Sequence, residues 1–303
     1  MELSKIIFVQ VLIIFILMAV GFVLAKTDKL TEKGVKQFTD LLLNIVTPCL
    51  LINAFQKEFD TQLLKNLGQA VLFSFIILSL SIILCTIVFR KEPTLKYRVS
   101  IFGSVYSNCG FMAIPLLTAA MGEMGVIYGS AYLAVFTLLY WSHGIAMYAG
   151  SISEISIKKI ITNPGIIGTV IALLFFLFKI TLPYPAGQAV SYLAAINTPL
   201  AMIVMGYYLE NVNIKSALKN KSIYLVTLMR LLIIPIITIV IARLINMDAT
   251  ATKSILISSS CPTAAATTLL ASRYNLDAKY ASELGSFTTI LSIITIPAIL
   301  LLY

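Results

Sequence analysis

Charge is scarce in this sequence: Asp, Glu, Lys and Arg make up 12% of its 303 residues, against 59% hydrophobic residues. With so little charge and a mean hydropathy of +0.96, the chain cannot present the polar surface that a water-soluble domain needs. Histidine is reduced to one residue and cysteine to four. Cys49, Cys85, Cys109 and Cys261 lie singly in apolar stretches, with no close pair and no Cys/His cluster, so neither a disulfide framework nor a zinc site is indicated. A lone His without HExxH spacing, and no convergent nucleophile and base, also exclude the usual intramembrane hydrolase designs. The chain does not read as an enzyme, and no metal or cofactor is expected. Long polar segments are missing too, which leaves no room for a soluble domain.

What is there is a series of apolar runs. A helix needs about 20 such residues to cross ~30 Å of hydrocarbon, and runs of that kind fall near 6–25, 36–55, 68–89, 98–121, 125–148, 164–180, 188–209, 222–246, 253–272 and 278–302. These are spans 1 to 10 of an all-α membrane protein. Spans 4 and 9 are rich in Ser, Thr, Gly and Pro, which leaves eight or nine as the alternative count. Span 1 is long for a signal-peptide core and lacks a small-residue cleavage site, so it is read as retained.

The net charge of +9 records topology. Fifteen of the 22 Lys and Arg lie in odd-numbered connections, among them Lys26, Lys29, Lys33 and Lys36 after span 1, Arg90, Lys91, Lys96 and Arg98 after span 3, and Lys215, Lys219 and Lys221 after span 7. The other side carries six: Lys5, Lys57, Lys65, Lys179, Arg243 and Lys253. By the positive-inside rule the odd connections are cytoplasmic and both termini face outward, in a multi-pass protein of the cell membrane. The expected partner is the lipid bilayer, not nucleic acid.

Sliding the chain against itself by 151 residues places Thr47-Pro48 on Thr198-Pro199 and Phe136-Thr137 on Phe287-Thr288. At 152, Ser107, Cys109, Ala113, Leu117 and Ala119 fall on Ser259, Cys261, Ala265, Leu269 and Ala271, with Pro115 on Thr267. One near-constant offset thus serves spans 2/7, 4/9 and 5/10. It divides the chain into 1–150 and 151–303, and an odd number of spans per half inverts the second. Inverted repeats of this kind characterise secondary transporters, whose sites lie where paired, interrupted helices meet near the midplane.

The interruption is legible in "YSNCGFMAIPLL", residues 106–117. Asn108 lies ten residues beyond Arg98, about 15 Å deep at a 1.5 Å rise. Gly110 tolerates unwound backbone and Pro115 removes an N–H, so the helix is expected to break between them. Span 9 reaches the same depth around Ser258 to Thr263, so two broken helices should cross there. The second half of span 4 would then point free N–H groups and a positive dipole end into the crossing, which favours an anion. The residues expected to line the site are Asn108, Cys109, Gly110 and Pro115 from span 4, and Ser260, Cys261, Pro262, Thr263 and Thr267 from span 9. The alternative is a dry proline kink.

The ordered set "NIVTPCLLINAF" (44–55), "SNCGFMAIPLL" (107–117) with "MGEMG" (121–125), "NTPLAMIVMG" (197–206) and "CPTAAATTLLASRYNLD" (261–277) resembles the auxin efflux carrier superfamily, which includes bacterial organic-acid carriers and the plant PIN-formed carriers. The resemblance spans nearly the whole chain. It implies a ten-helix fold like that of sodium/proton antiporters, with helices 1, 2, 6 and 7 as scaffold and helices 3–5 and 8–10 as a moving transport domain. It also implies an elevator carrier of small organic anions with its site at the 4/9 crossing, and a homodimer through the scaffold. The plant members carry a second proline where Thr267 stands, and a long central loop where this chain has "SISEISIKKIITNP". Asn44, Pro48, Asn197 and Pro199, on spans 2 and 7, would form the scaffold side of the site.

Ionisable groups inside spans are functional candidates because their burial is costly. Arg230 and Glu283 lie at similar depth and suit a structural ion pair, with Arg230 as counter-charge to a substrate carboxylate as the alternative. Asp40 reads as an interfacial carboxylate or a gate and proton carrier, His143 as an interfacial anchor or a pH switch, and Glu123 as a solvated turn residue. The competing function is a cation/proton antiporter or sodium-coupled symporter on the same fold, which would want a carboxylate at the crossing; Asn108 and the 258–263 run are neutral.

Overall fold

The computed structural model describes the backbone of residues 2–210 and 217–303, with side chains from residue 8 onward; Lys5 and Lys215 of the charge pattern lie outside the described side chains. The described chain is helical, without named strands. Its principal helices are α1 (Glu2–Lys26), α2 (Glu32–Ala54), α3 (Thr61–Phe89), α4 (Thr94–Val105), α5 (Cys109–Ala149), α6 (Pro164–Leu177), α7 (Tyr184–Glu210), α8 (Lys221–Leu244), α9 (Ala249–Ser260), α10 (Ala266–Arg273) and α11 (Ala278–Leu301). Side chains define many starts: Thr31, Asp60, Asn163, Asn220, Asp248 and Asp277 each accept a backbone N–H of the first turn.

Among the described residues, seven helices are long and apolar enough to cross a membrane: α1, α2, α3, α5, α7, α8 and α11. The difference from ten apolar runs has local causes. α6 is 14 residues long. Spans 4 and 9 are each cut into shorter pieces. The second part of span 4 also runs on into span 5 as α5, turning at Gly122, whose φ of 61° and ψ of −149° only glycine adopts readily.

Proline explains most of the internal irregularity. A ring at position i removes the bond to the carbonyl of i−4 and collides with it, and a single wider turn relieves both. The π turns Leu42–Val46, Cys109–Ala113 and Met229–Ile233 stand immediately before helical segments carrying Pro48, Pro115 and Pro235.

Two packing pairs organise one side of the molecule. α1 lies along α7, and the second half of α2 packs on α6. The first pair is close because a Cβ at Gly21 would strike the Ile203 carbonyl and one at Gly206 the Met18 carbonyl. On the other side α5 packs against α3 and α9, and α11 against α10 and α1.

Candidate functional site

The helical path stops at Val105, and φ/ψ of −93°/103° at Tyr106 put the chain in an extended conformation. The second stop is at Ser260, with Cys261 at −64°/152°. The two unwound stretches lie side by side. Asn108 N donates to Pro262 O at 2.7 Å, Ala264 N donates to Tyr106 O at 2.9 Å, and Ser107 faces Thr263 in an antiparallel bridge. Each stretch supplies the partners the other lost by unwinding, which is the condition for non-helical backbone at membrane depth.

Pro115 is not where the helix opens. The gap lies seven to nine residues earlier in the chain, at 106–108, and Pro115 sits near the start of the regular part of α5 behind the π turn. The reason is that the π turn absorbs the proline locally, while the opening is held by the cross-pairing with 262–264. The second break does contain its proline, Pro262.

Both second halves begin without a side-chain cap. Asn108 is at the head of α5 with no capping bond, and Ala265 stands in the same position for α10. The Asn108 carbonyl accepts from Met112 N at 3.0 Å and Ala113 N at 3.3 Å, so the amides of Cys109, Gly110 and Phe111 precede the first helical acceptor. A side chain built on Gly110 would meet only open space, and Gly110 is half-buried, so this face of the α5 terminus borders a gap.

The side chains of the two breaks differ. Asn108, 3% exposed, points its amide at the Met205 sulfur of α7, 3.2 Å away. A thioether is a weak acceptor, which a carboxylate would readily replace. The second break turns inward: Thr263 Oγ1 donates to Gly103 O at 2.8 Å, Ser258 to Ser254 O at 2.8 Å, and Ser259 to Leu256 O at 3.1 Å. Thr263 N is held by Thr288 Oγ1 at 3.2 Å. Cys109, Cys261, Pro262 and Thr267 are buried, and the hydroxyls of Ser260 and Thr267 have no hydrogen-bond partner.

Arg230 is fully buried behind the crossing. Its Nη1 donates to Ser104 O at 2.9 Å and Val105 O at 2.8 Å, and its Nη2 to Ser259 O. These are the last carbonyls of α4 and α9. The expected ion pair with Glu283 is not formed: the guanidinium is engaged by backbone, and Glu283 is 6% exposed with Oε1 lacking a partner. The ion pair found among the described side chains joins Lys57 to Glu123 at 2.9 Å, and Glu123 is exposed beside the Gly122 turn, a solvated turn residue that also carries this pair.

On α2 and α7, Asn197 is buried and donates to Thr47 Oγ1 at 3.3 Å, linking the two Thr-Pro kinks, while Pro48 and Pro199 are half-buried beside them. Asn44 is exposed and donates to the carbonyl of Asp40 at 2.7 Å; Asp40 is exposed too. The structure therefore brings Met205, and not Asn44, to Asn108. His143 is half-buried, with Nδ1 2.9 Å from the Tyr106 hydroxyl, which donates to Leu139 O. Thr288 was signalled in sequence by the repeated Phe-Thr pair. Met205 and Tyr106 carried no such mark.

Known proteins agree with this picture of a membrane carrier. A family model described as membrane transport protein matches residues 6–300. The chain is similar to an uncharacterized transporter of Methanocaldococcus jannaschii, 25% identical over 307 residues covering 94% of this chain and 95% of that one. It is also similar to an uncharacterized transporter of Methanothermobacter thermautotrophicus, 22% identical over 294 residues covering 95% of each. A shorter match, 28% over 142 residues, covers 43% of this chain and 23% of Protein ECM3 of Saccharomyces cerevisiae.

Proposed function

The chain belongs to the membrane transport protein family, also called the auxin efflux carrier family, and from that premise we propose that it is a secondary carrier of small organic anions. The carboxylate binds at the paired breaks, against the uncapped start of α5 and the amide of Asn108. The observation that carries this reading is the Asn108 amide resting on the Met205 thioether at the uncapped start of α5, where the first backbone amides precede the first helical acceptor. Such a place offers strong donors with no strong acceptor in position.

The mechanism we propose is an elevator. α1, α2, α6 and α7 are the static part and α3–α5 with α8–α11 the moving part. Support comes from the packing: α1 on α7 and α2 on α6 are exchanged for one another when the two halves of the sequence are exchanged, as an inverted repeat of ten crossings requires. Both breaks lie in the moving part, and the first of them touches the static part through Met205. In this reading both termini face outward and the static part offers the surface for a homodimer.

A cation-coupled carrier is the second reading, and one observation favours it: Glu283 is a buried carboxylate with an unpartnered oxygen, placed inside the moving part. The two readings separate by thermal unfolding of the purified protein across small carboxylates, amino acids and sodium, since a ligand that binds only the folded form raises its stability by mass action. Stabilisation by carboxylates that is lost in Asn108→Ala supports the anion carrier. Stabilisation by sodium alone, unchanged in Asn108→Ala, overturns it.

A further inference from the structure

A broken pair of helices brings four dipole ends to one place. α4 and α9 end there with their negative poles, and α5 and α10 begin there with their positive ones. Each pole is equivalent to roughly half an elementary charge, so the four nearly cancel. By their dipoles alone, the four helix ends have no preference for the sign of a ligand.

Arg230 removes the cancellation. Its guanidinium bonds the Ser104 and Val105 carbonyls of α4 and the Ser259 carbonyl of α9, which are the negative poles. It makes no bond to the starts of α5 or α10. Among the described side chains no carboxylate pairs with it; the ion pair found is Lys57–Glu123. Its position comes from the π turn Met229–Ile233, opened by Pro235.

We propose that Arg230 sets the sign of the substrate: by holding both negative helix ends it leaves the two positive ends in surplus, so the crossing accepts an anion. It is a positioning and selectivity residue that touches no substrate. The net excess is one positive charge in a region of low dielectric, where its influence extends further than in water. The inference rests on the anion-carrier reading and adds to it the reason the site takes a carboxylate without any cationic side chain in contact. It also assigns the buried cation a task that structure alone would not require. A neutral donor could hold the same carbonyls.

The test compares matched acid and amide pairs: acetate with acetamide, succinate with succinamide, and benzoate with benzamide. Each pair has nearly the same shape and differs in charge. Binding to wild type, Arg230→Lys, Arg230→Met and Ser104→Asp is measured by calorimetry on purified protein. The wild type should bind at least one acid about tenfold or more tighter than its amide. Arg230→Lys loses part of the carbonyl clamp and some thermal stability, but keeps the charge and should keep that preference. Arg230→Met removes the charge, and Ser104→Asp neutralises it while leaving the arginine in place. Each should bring acid and amide to within about threefold of one another.

A folded Arg230→Met or Ser104→Asp protein that keeps the wild-type preference overturns the inference, and so does a folded Arg230→Lys protein that loses it. Equal weakening of acid and amide in Arg230→Met reduces Arg230 to a structural clamp and overturns it as well. Where Arg230→Met does not fold, Ser104→Asp and Arg230→Lys decide alone. If the wild type binds none of the acids, the anion-carrier reading falls first and this inference with it; if it prefers acids and the variants do too, only this inference falls.

Discussion

The chain leaves the helix at Tyr106 with no proline in the gap, whereas in the second break Pro262 stands inside the gap itself. The repeat offset makes these corresponding places, yet they keep different polar groups free. Around Asn108 the strong donors face α7 and a weak sulfur acceptor. Around Thr263 the hydroxyls of Ser258, Ser259 and Thr263 bond to nearby carbonyls, within their own helix or on Gly103 of α4, and those left without a partner are the buried hydroxyls of Ser260 and Thr267. In the anion-carrier reading the difference is a division of labour: the first break binds, and the second braces it.

The sharpest way to break this comparison is to remove the binding group alone. Asn108→Ala should weaken carboxylate binding by about thirtyfold, the ~2 kcal/mol expected of a hydrogen bond to a charged group. Its melting temperature without ligand should change little, since the lost partner is only a thioether. Calorimetry and an unfolding scan on one preparation check both. A variant that loses stability but keeps affinity would exchange the roles of the two breaks.

The bracing side predicts the opposite pattern. Thr288→Val takes the acceptor from the buried Thr263 N–H, and an orphaned buried donor costs about 1–3 kcal/mol. Thr263→Val removes the bond to the Gly103 carbonyl and should cost about 1 kcal/mol. Thermal and denaturant unfolding measure the losses, and carboxylate affinity should stay within about threefold of wild type in each, below the ~1.4 kcal/mol that a tenfold change represents. A large affinity loss in Thr263→Val with unchanged stability would put substrate on the second break.

How far the sequence carried the reading follows from which groups form the site. Ser107, Cys109, Ser259 and Cys261 repeat at one offset, so the two breaks and their meeting were legible before any coordinates. Seven helices long and apolar enough to cross a membrane match the apolar runs, while α6 is short, spans 4 and 9 are cut into pieces, and span 4 runs on into span 5. What could not be read is contact made by backbone. Arg230 looked in want of a carboxylate, and Glu283 at similar depth was the natural choice. Its actual partners are the carbonyls of Ser104, Val105 and Ser259, which any residues would supply, so no pattern of side chains announces them. Pro115 misled in a related way. It does perturb the helix, but a π turn takes up the disturbance, and the opening is decided by pairing with a segment some 150 residues away. That Met205 and not Asn44 reaches Asn108 was hidden for another reason: a helix's rotation about its own axis is set by neighbours, and composition of the stretch alone does not fix it.

The smallest expected effect lies at the outer edge, where Lys57, in the connection between α2 and α3, meets Glu123 beside the Gly122 turn of α5. In the elevator reading this bridge ties the static part to the moving one. Both partners are substantially exposed, 32% and 52%, so water screens them and the pair contributes no more than about 1 kcal/mol. A contact of that size shifts a two-state equilibrium by about fivefold at most. Lys57→Ala should therefore change carboxylate affinity and uptake rate by less than about fivefold, and added salt should reproduce part of the effect in the wild type but none in the variant. Uptake into proteoliposomes at low and high salt makes the comparison. A change of a hundredfold would mean the bridge is dry in the state that matters, and would move the control of the elevator from the crossing to this outer contact.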